Sequence, residues 1–146
     1  MQIPVTYIDI RFFVHATEDL DKVMDAVSHV LPLRYADEIV FKRNKVEGHF
    51  GNPISFFQTR IRKKEIVKAV IEKLSSNLSI LEKEKLRAEI HQHLEKGSFY
   101  LRLDKQAAVQ GELKLSVADP IHFHVRFGNK KPEDLIIICQ RLGMLP

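Results

Sequence analysis

Apolar residues alternate with polar ones at the start of the chain. Within Val5–Ala16, Ile8, Ile10, Phe12 and Val14 share one parity, the period of a strand with one buried face. Thr17 follows as the expected N-cap of a helix, and Glu18, Asp19 and Asp21 suit the positive end of its dipole. That helix carries Leu20, Val23, Val27, Val30 and Leu31 on one stripe and stops at Pro32. Strand patterning returns at about 38–46 and 54–62. Between them lies EGHFGNP, residues 47–53, whose glycines and Asn-Pro pair mark a turn or exposed loop.

A basic amphipathic helix is expected over about 63–75, with Ile66, Val67, Val70, Ile71 and Leu74 inward, interrupted by Ser75-Ser76-Asn77. Ser79 and Glu82 have capping-box spacing for a second helix running to about Lys96, with Leu86, Ile90 and Leu94 inward and Gly97 after its end. Strands are expected at Ser98–Leu103, Leu113–Val117 and Ile121–Phe127. A closing helix has Pro132 in its first turn, Leu135, Ile138, Cys139 and Leu142 inward, and Gly143 beyond. Hairpin-length joints and few intervening helices predict an α+β fold, a largely antiparallel sheet backed by helices. Its 146 residues suit one domain, 1–146, with no linker or repeat.

The strand parities also predict which side chains face away from the core. They are Tyr7, Asp9, Arg11, Phe13 and His15 in the first strand, and Gln58, Arg60 and Arg62 in the third. Tyr100 and Arg102 follow in the next, then His122, His124 and Arg126. Four strands thus put arginine on the non-core face, with rings between. Guanidinium forks pair with phosphates, and rings stack on unpaired bases, so such a face suits RNA if the strands share one sheet. A solvated antiparallel face has the same look.

Composition narrows the setting. With 45% hydrophobic and 29% charged residues the chain is an ordinary globular protein, neither disordered nor a disulfide scaffold. One cysteine suits a reducing compartment, and the chain lacks an apolar run of membrane-spanning length or a signal-peptide pattern, so a cytoplasmic location is expected. The net charge of +4 hides a contrast: residues 1–40 carry three basic and seven acidic side chains, residues 41–75 nine and three. The second segment suits an anion-binding face, and equally a solvated helix and hairpin tip.

Two segments carry a resemblance. VEGHFGNPI at Val46–Ile54 and LRLDKQAAV at Leu101–Val109 resemble the signature stretches of a family of small archaeal RNA-binding proteins described as predicted exosome-associated subunits. RFFVHATEDLDKVMDAV at Arg11–Val27 is similar to the family's opening strand and helix. The resemblance covers most of the chain. It implies a fold similar to that of the large-subunit ribosomal protein that binds 5S rRNA, with a curved sheet. It also implies RNA as the partner, with exosome subunits or other RNA-processing proteins beside it.

Physical reasons stand beside these motifs. Gly48 and Gly51 hold His49, Phe50 and Asn52 at a loop tip, where a ring, an imidazole and an amide suit one base; a tight turn with Phe50 folded into the core is the other reading. In the second motif Asp104 caps a short turn, Lys105–Val109, ended by Gly111, and Ala107 and Ala108 pack. Capping and packing leave Arg102, Lys105 and Gln106 as exposed candidates for RNA contact. Arg60, Arg62, Lys63 and Lys64 support them, forming one basic patch if the two strand ends lie close.

Catalysis has less to stand on. His91 and His93 fall on opposite sides of a helix, and His122 with His124 would need His15 or Asp9 to complete a zinc site. An Asp104–His49 acid–base pair has no spacing that demands it. Phosphate-binding glycine loops, nucleophile elbows and dinucleotide fingerprints are missing from the sequence. The expectation is a non-catalytic RNA-binding accessory protein without cofactor or metal. Two alternatives are an adaptor docking an acidic partner through the basic 60–75 segment, and a small nucleic-acid hydrolase.

Overall fold

The structure is a computed structural model that describes residues 3–146, with the side chain of His49 outside the described set. Strand β1, Tyr7–His15, lies near the middle of one six-stranded sheet of order β2-β3-β1-β6-β5-β4. The others are β2 Lys42–Glu47, β3 Pro53–Ile61, β4 Leu94–Glu95, β5 Ser98–Leu103 and β6 Ile121–Arg126. Every neighbouring pair is antiparallel. The expected α+β class and its largely antiparallel sheet are what the chain forms.

Register sorts the side chains onto two faces. Ile8 pairs with Ile61 on one side and Val125 on the other, and Ile10 with Thr59 and Phe123. These even-numbered residues of β1 meet Phe99, Leu101 and Leu103 of β5 in one continuous core. Helices α1 Leu20–Val30, α2 Lys64–Asn77 and α5 Pro132–Arg141 add Val27, Val70, Leu74, Leu135 and Cys139 to that core. All helical backing is therefore spent on one face. Burial raises the Cys139 thiol to about 12, so it stays protonated packing.

Several boundaries differ from the sequence reading, each for a local reason. Thr17 lies inside the β1–α1 turn, and Asp19 is the N-cap, accepting from the backbone N–H of Asp21 at 3.0 Å and Lys22 at 3.4 Å. Ser75 and Asn77 do not interrupt α2. Their side chains donate to the carbonyls of Glu72 and Lys73 at 3.1 and 2.7 Å, and the helix breaks only at Leu78, which is buried. Ser79 caps α3, Ile80–Ala88, as its spacing predicts. That helix stops well short of Lys96, because the chain is needed as β4 to pair Leu94 with Phe99. Lys96 and Gly97, both at positive φ, make the hairpin turn, and Gly97 lies where a Cβ would collide with the Gly128 carbonyl.

Leu113–Val117 is not a full strand. One bridge, Leu103 to Leu115, and backbone bonds from Asp104 to Lys114 and from Ser116 to Arg102 lay it along the end of β5. β4 and this segment together cover the β5 edge. The opposite edge, β2, carries Lys42, Arg43 and Lys45, charges that discourage pairing with another chain.

Candidate nucleic-acid interface

The face away from the helices is open. Register lines its side chains into rows that cross the strands. One row runs Lys42, Gln58, Arg11, His122, Arg102 through β2, β3, β1, β6 and β5. Five strands at the usual spacing make it about 19 Å long. The next row is Arg60, Asp9, His124, Tyr100, and beyond it stand Tyr7, Arg126 and Ser98. On the other side of the basic row come Asn44, Phe56 and Phe13, then Val46, Ile54 and His15. Arginine on the outward side of four strands is as the parities predict: Arg11, Arg60, Arg102 and Arg126 all stand there.

The charges in these rows are not equivalent. Arg60 holds Asp9 in a two-pronged pair, Nε to Oδ1 at 2.7 Å and Nη2 to Oδ2 at 2.8 Å, and lies 3.9 Å over the Tyr7 ring. Its charge is largely answered within the protein. Arg126 is turned onto the Lys96 carbonyl and Ser98. Arg11 and Lys42 are exposed and, with Gln58, line a depression of about 450 Å³. Arg102 lies 5.5 Å from the Tyr100 ring centre in cation–π contact.

The histidines contribute rings, not charge. Arg11 Nε donates to His122 Nδ1 at 3.0 Å, which leaves that nitrogen an acceptor and the ring neutral. Burial is the largest cause lowering His122, to about 4, followed by Arg11, Arg102 and His124. His124 is lowered too, first by burial, although Asp9 opposes the shift. Tyr100 stacks on both imidazoles, with ring centres 5.5 Å from His122 and 4.8 Å from His124. A consequence follows for stability. The folded protein resists protonating His122, so its contribution is complete above about pH 6.5 and falls as pH drops toward 4, by at most about 1.4 kcal/mol per pH unit. Urea midpoints at pH 7 and pH 5 are expected to show a smaller acid loss in His122→Gln than in the parent. Equal losses would contradict a neutral, buried His122.

The two sequence motifs meet at one end of the sheet. β3 begins, and β1 and β5 end, at the same rim, so loop 48–52 and helix α4, Lys105–Val109, flank the β1–α1 turn. Asp104 caps α4 as expected, accepting from the Ala107 N–H at 3.2 Å. Phe50 is 96% exposed at φ 66°, so it is not folded into the core. Asn52 and Gln106 are also exposed. Lys105 corrects the sequence reading: it is 4% exposed rather than a surface group. Its Nζ donates to the Phe13 carbonyl at 2.8 Å, Glu18 Oε1 at 3.0 Å and Asp119 Oδ2 at 2.7 Å. A basic side chain after a capped turn carries no sequence sign that two distant carboxylates wait beneath it.

The single patch built from two strand ends is likewise corrected. β3 ends beside the start of β1, whereas β5 ends beside its finish, so Arg62, Lys63 and Lys64 lie at the opposite end from Lys105 and Gln106. Lys63 also pairs with Glu38 at 3.3 Å. Arg11 and Lys42 take their place as the exposed cations of the central row. Alternation pointed Arg11 outward; Lys42 needed the register of β2 against β3.

Of the third ligands considered for a zinc site on His122 and His124, His15 lies at the far rim, and Asp9, 3.7 Å from His124, is held by Arg60. Among the described residues, one trio of metal-type ligands comes within reach of a common point: His15, Glu18 and Asp119. The Lys105 ammonium already bonds both carboxylates there, supplying the positive charge a cation would bring. His15 Nε2 lies 3.0 Å from Asp119 Oδ2. Asp104 faces the Ala107 N–H as a cap, and the His49 side chain lies outside the described residues.

An open antiparallel sheet, backed by helices and faced with arginine, lysine and stacked rings, has the build of an α+β nucleic-acid-binding module. The comparisons agree: a family model described as RNA binding matches residues 7–127, and the chain belongs to that family. It is 36% identical over 121 residues to RNA-binding protein PAB1135 of Pyrococcus abyssi, covering 82% of this chain and 78% of that one. It is 35% identical over 147 residues to the uncharacterized protein MJ0213 of Methanocaldococcus jannaschii, covering 93% and 97%. The crystal structure of protein AF2318 from Archaeglobus fulgidus superposes with a TM-score of 0.79 at 26% identity, over 94% of this chain and 99% of that one. Among the described residues no helix is long and apolar enough to cross a membrane.

Proposed function

We propose that this protein is a non-catalytic, cytoplasmic RNA-binding accessory protein that uses the open face of its sheet to present RNA to an exosome-type processing or degrading machine. The row Lys42–Gln58–Arg11–His122–Arg102 carries the reading. Its exposed cations suit phosphates, and the rings on either side suit bases. Arg102, Gln106, Phe50 and Asn52 keep the contact roles expected of them, as does His49; Arg60, Arg62, Lys63 and Lys64 supply weaker, longer-range attraction. Lys105 acts through the fold, by holding the rim together. Family membership supports RNA as the partner. The likeness of the signature stretches to those of exosome-associated proteins supports the setting, and a fold similar to that of the 5S rRNA-binding ribosomal protein is what that likeness implies.

The adaptor alternative has less to draw on. Of the basic 60–75 segment, Arg60 is bound to Asp9, Lys63 to Glu38, and Lys68 lies 3.9 Å from Glu72. A titration of the purified protein with unstructured RNA at two salt concentrations, and a nuclease assay on the same sample, tests the proposal. Binding that weakens steeply with salt and leaves the RNA uncut is expected. Binding indifferent to salt, or cleavage of the RNA, would count against it.

A further inference from the structure

We infer that the rim where the two motifs meet holds a pocket for one unpaired base, so that the protein selects single-stranded over duplex RNA. The inference rests on the RNA-binding reading and extends it to a particular ligand class. The pocket, of about 410 Å³, lies between the β1–α1 turn and loop 48–52, walled by His15, Thr17, Phe50, Asn52 and Ile54. Two of its walls belong to the outward face of the sheet. His15 and Ile54 are a register pair of β1 and β3, and the next outward pair is Phe13 and Phe56, their ring centres 4.9 Å apart. The pair after that is Arg11 and Gln58, in the basic row. Pocket and basic row are thus about 13 Å apart on one surface, two register steps along the strands.

Phe50 is 96% exposed and its backbone occupies the left-handed region at φ 66°. The loop is nonetheless closed, with the Gly48 N–H on the Asn52 carbonyl at 2.7 Å and the Gly51 N–H on the Gly48 carbonyl at 3.1 Å. A closed loop that sets a ring among the walls of a hollow of about 410 Å³ suits a flat ligand. Phe50 and Ile54 offer stacking surface, while the Asn52 amide, Thr17 hydroxyl and His15 imidazole offer donors and acceptors for a base edge. Glu18 and Asp119 lie 3.9 and 3.0 Å from His15 and share one Lys105 ammonium, so two carboxylates against one cation make this end of the face suit a neutral base better than a phosphate. The phosphates belong on the basic row instead. A duplex keeps its bases stacked and their pairing edges occupied, and so cannot fill such a pocket.

The test uses two RNAs of equal length, one unstructured with a single 2-aminopurine and one folded as a hairpin. The unstructured RNA is expected to bind about tenfold tighter or better, and its fluorescence to be quenched on binding. Phe50→Ala is expected to weaken that binding about tenfold and relieve the quench, as loss of one stacked base does. Asn52→Ala is expected to change which base is preferred. Melting temperatures of both variants check the fold. Equal affinity for the hairpin overturns the inference. So does RNA binding that ignores both variants, which would leave the pocket to a partner protein's side chain. Failure of both RNAs to bind overturns the RNA-binding reading itself, a different and distinguishable result.

Discussion

Lys105→Met is expected to destabilise the protein by about 3 kcal/mol, the low end of what removing one partner from a buried ion pair costs. The ammonium is the shared partner of three oxygens: the Phe13 carbonyl, Glu18 and Asp119. Methionine keeps the apolar stem but removes the ammonium from all three, leaving Glu18 the His15 backbone N–H and Asp119 the His15 ring. Asp119 sits at φ 48°, an unfavourable backbone held in part by this pair. The loss falls at the low end because Asp119 keeps 38% of its side-chain surface in water. Urea denaturation measures the effect. RNA affinity per folded molecule is expected to change little. A nearly neutral stability change with a large loss of RNA affinity would instead make Lys105 a direct contact.

The contrast between Lys105 and Arg11 shows what alternation along a strand can reveal. Arg11 lies inside a nine-residue strand whose neighbours Ile10 and Phe12 are buried at 0% and 1%, so parity alone sends it outward. The core, the antiparallel class and the outward arginines were legible for that reason. Lys105 opens a capped turn, where no period operates, and its carboxylate partners are 87 and 14 positions away in the chain. The joining of two strand ends failed for a related cause. Which ends are neighbours depends on strand order and direction, and a sequence of patterned segments fixes neither. Helix α3 was overextended because Ile90 and Leu94 keep helical spacing after Leu86, while pairing with Phe99 turns Leu94 into a strand residue. Leu113–Val117 has the composition of a strand but only one bridge, since β4 already pairs with the beginning of β5. The two rim motifs were legible as motifs. Their meeting at one pocket, with His15 and Thr17 as further walls, required the fold.

The basic row is where RNA phosphates are held. Arg11→Gln with Lys42→Gln removes two exposed charges from the open face without touching the core. For an unstructured RNA the plot of log affinity against log salt is expected to flatten by about 1.4, roughly 0.7 for each phosphate of a single strand that is no longer neutralised. Affinity at low salt should fall alike for different sequences, because phosphates carry no sequence information. Lys68→Gln with Arg87→Gln removes the same charge from exposed positions of α2 and α3 and serves as the control. Salt dependence of RNA binding, compared across the parent and these two double variants, is therefore the decisive measurement. A flattened slope for the sheet pair and a parent-like slope for the helix pair is the expected result. The reverse, with the helix pair flattening the slope and the sheet pair leaving it unchanged, would contradict the open face as the RNA-binding surface.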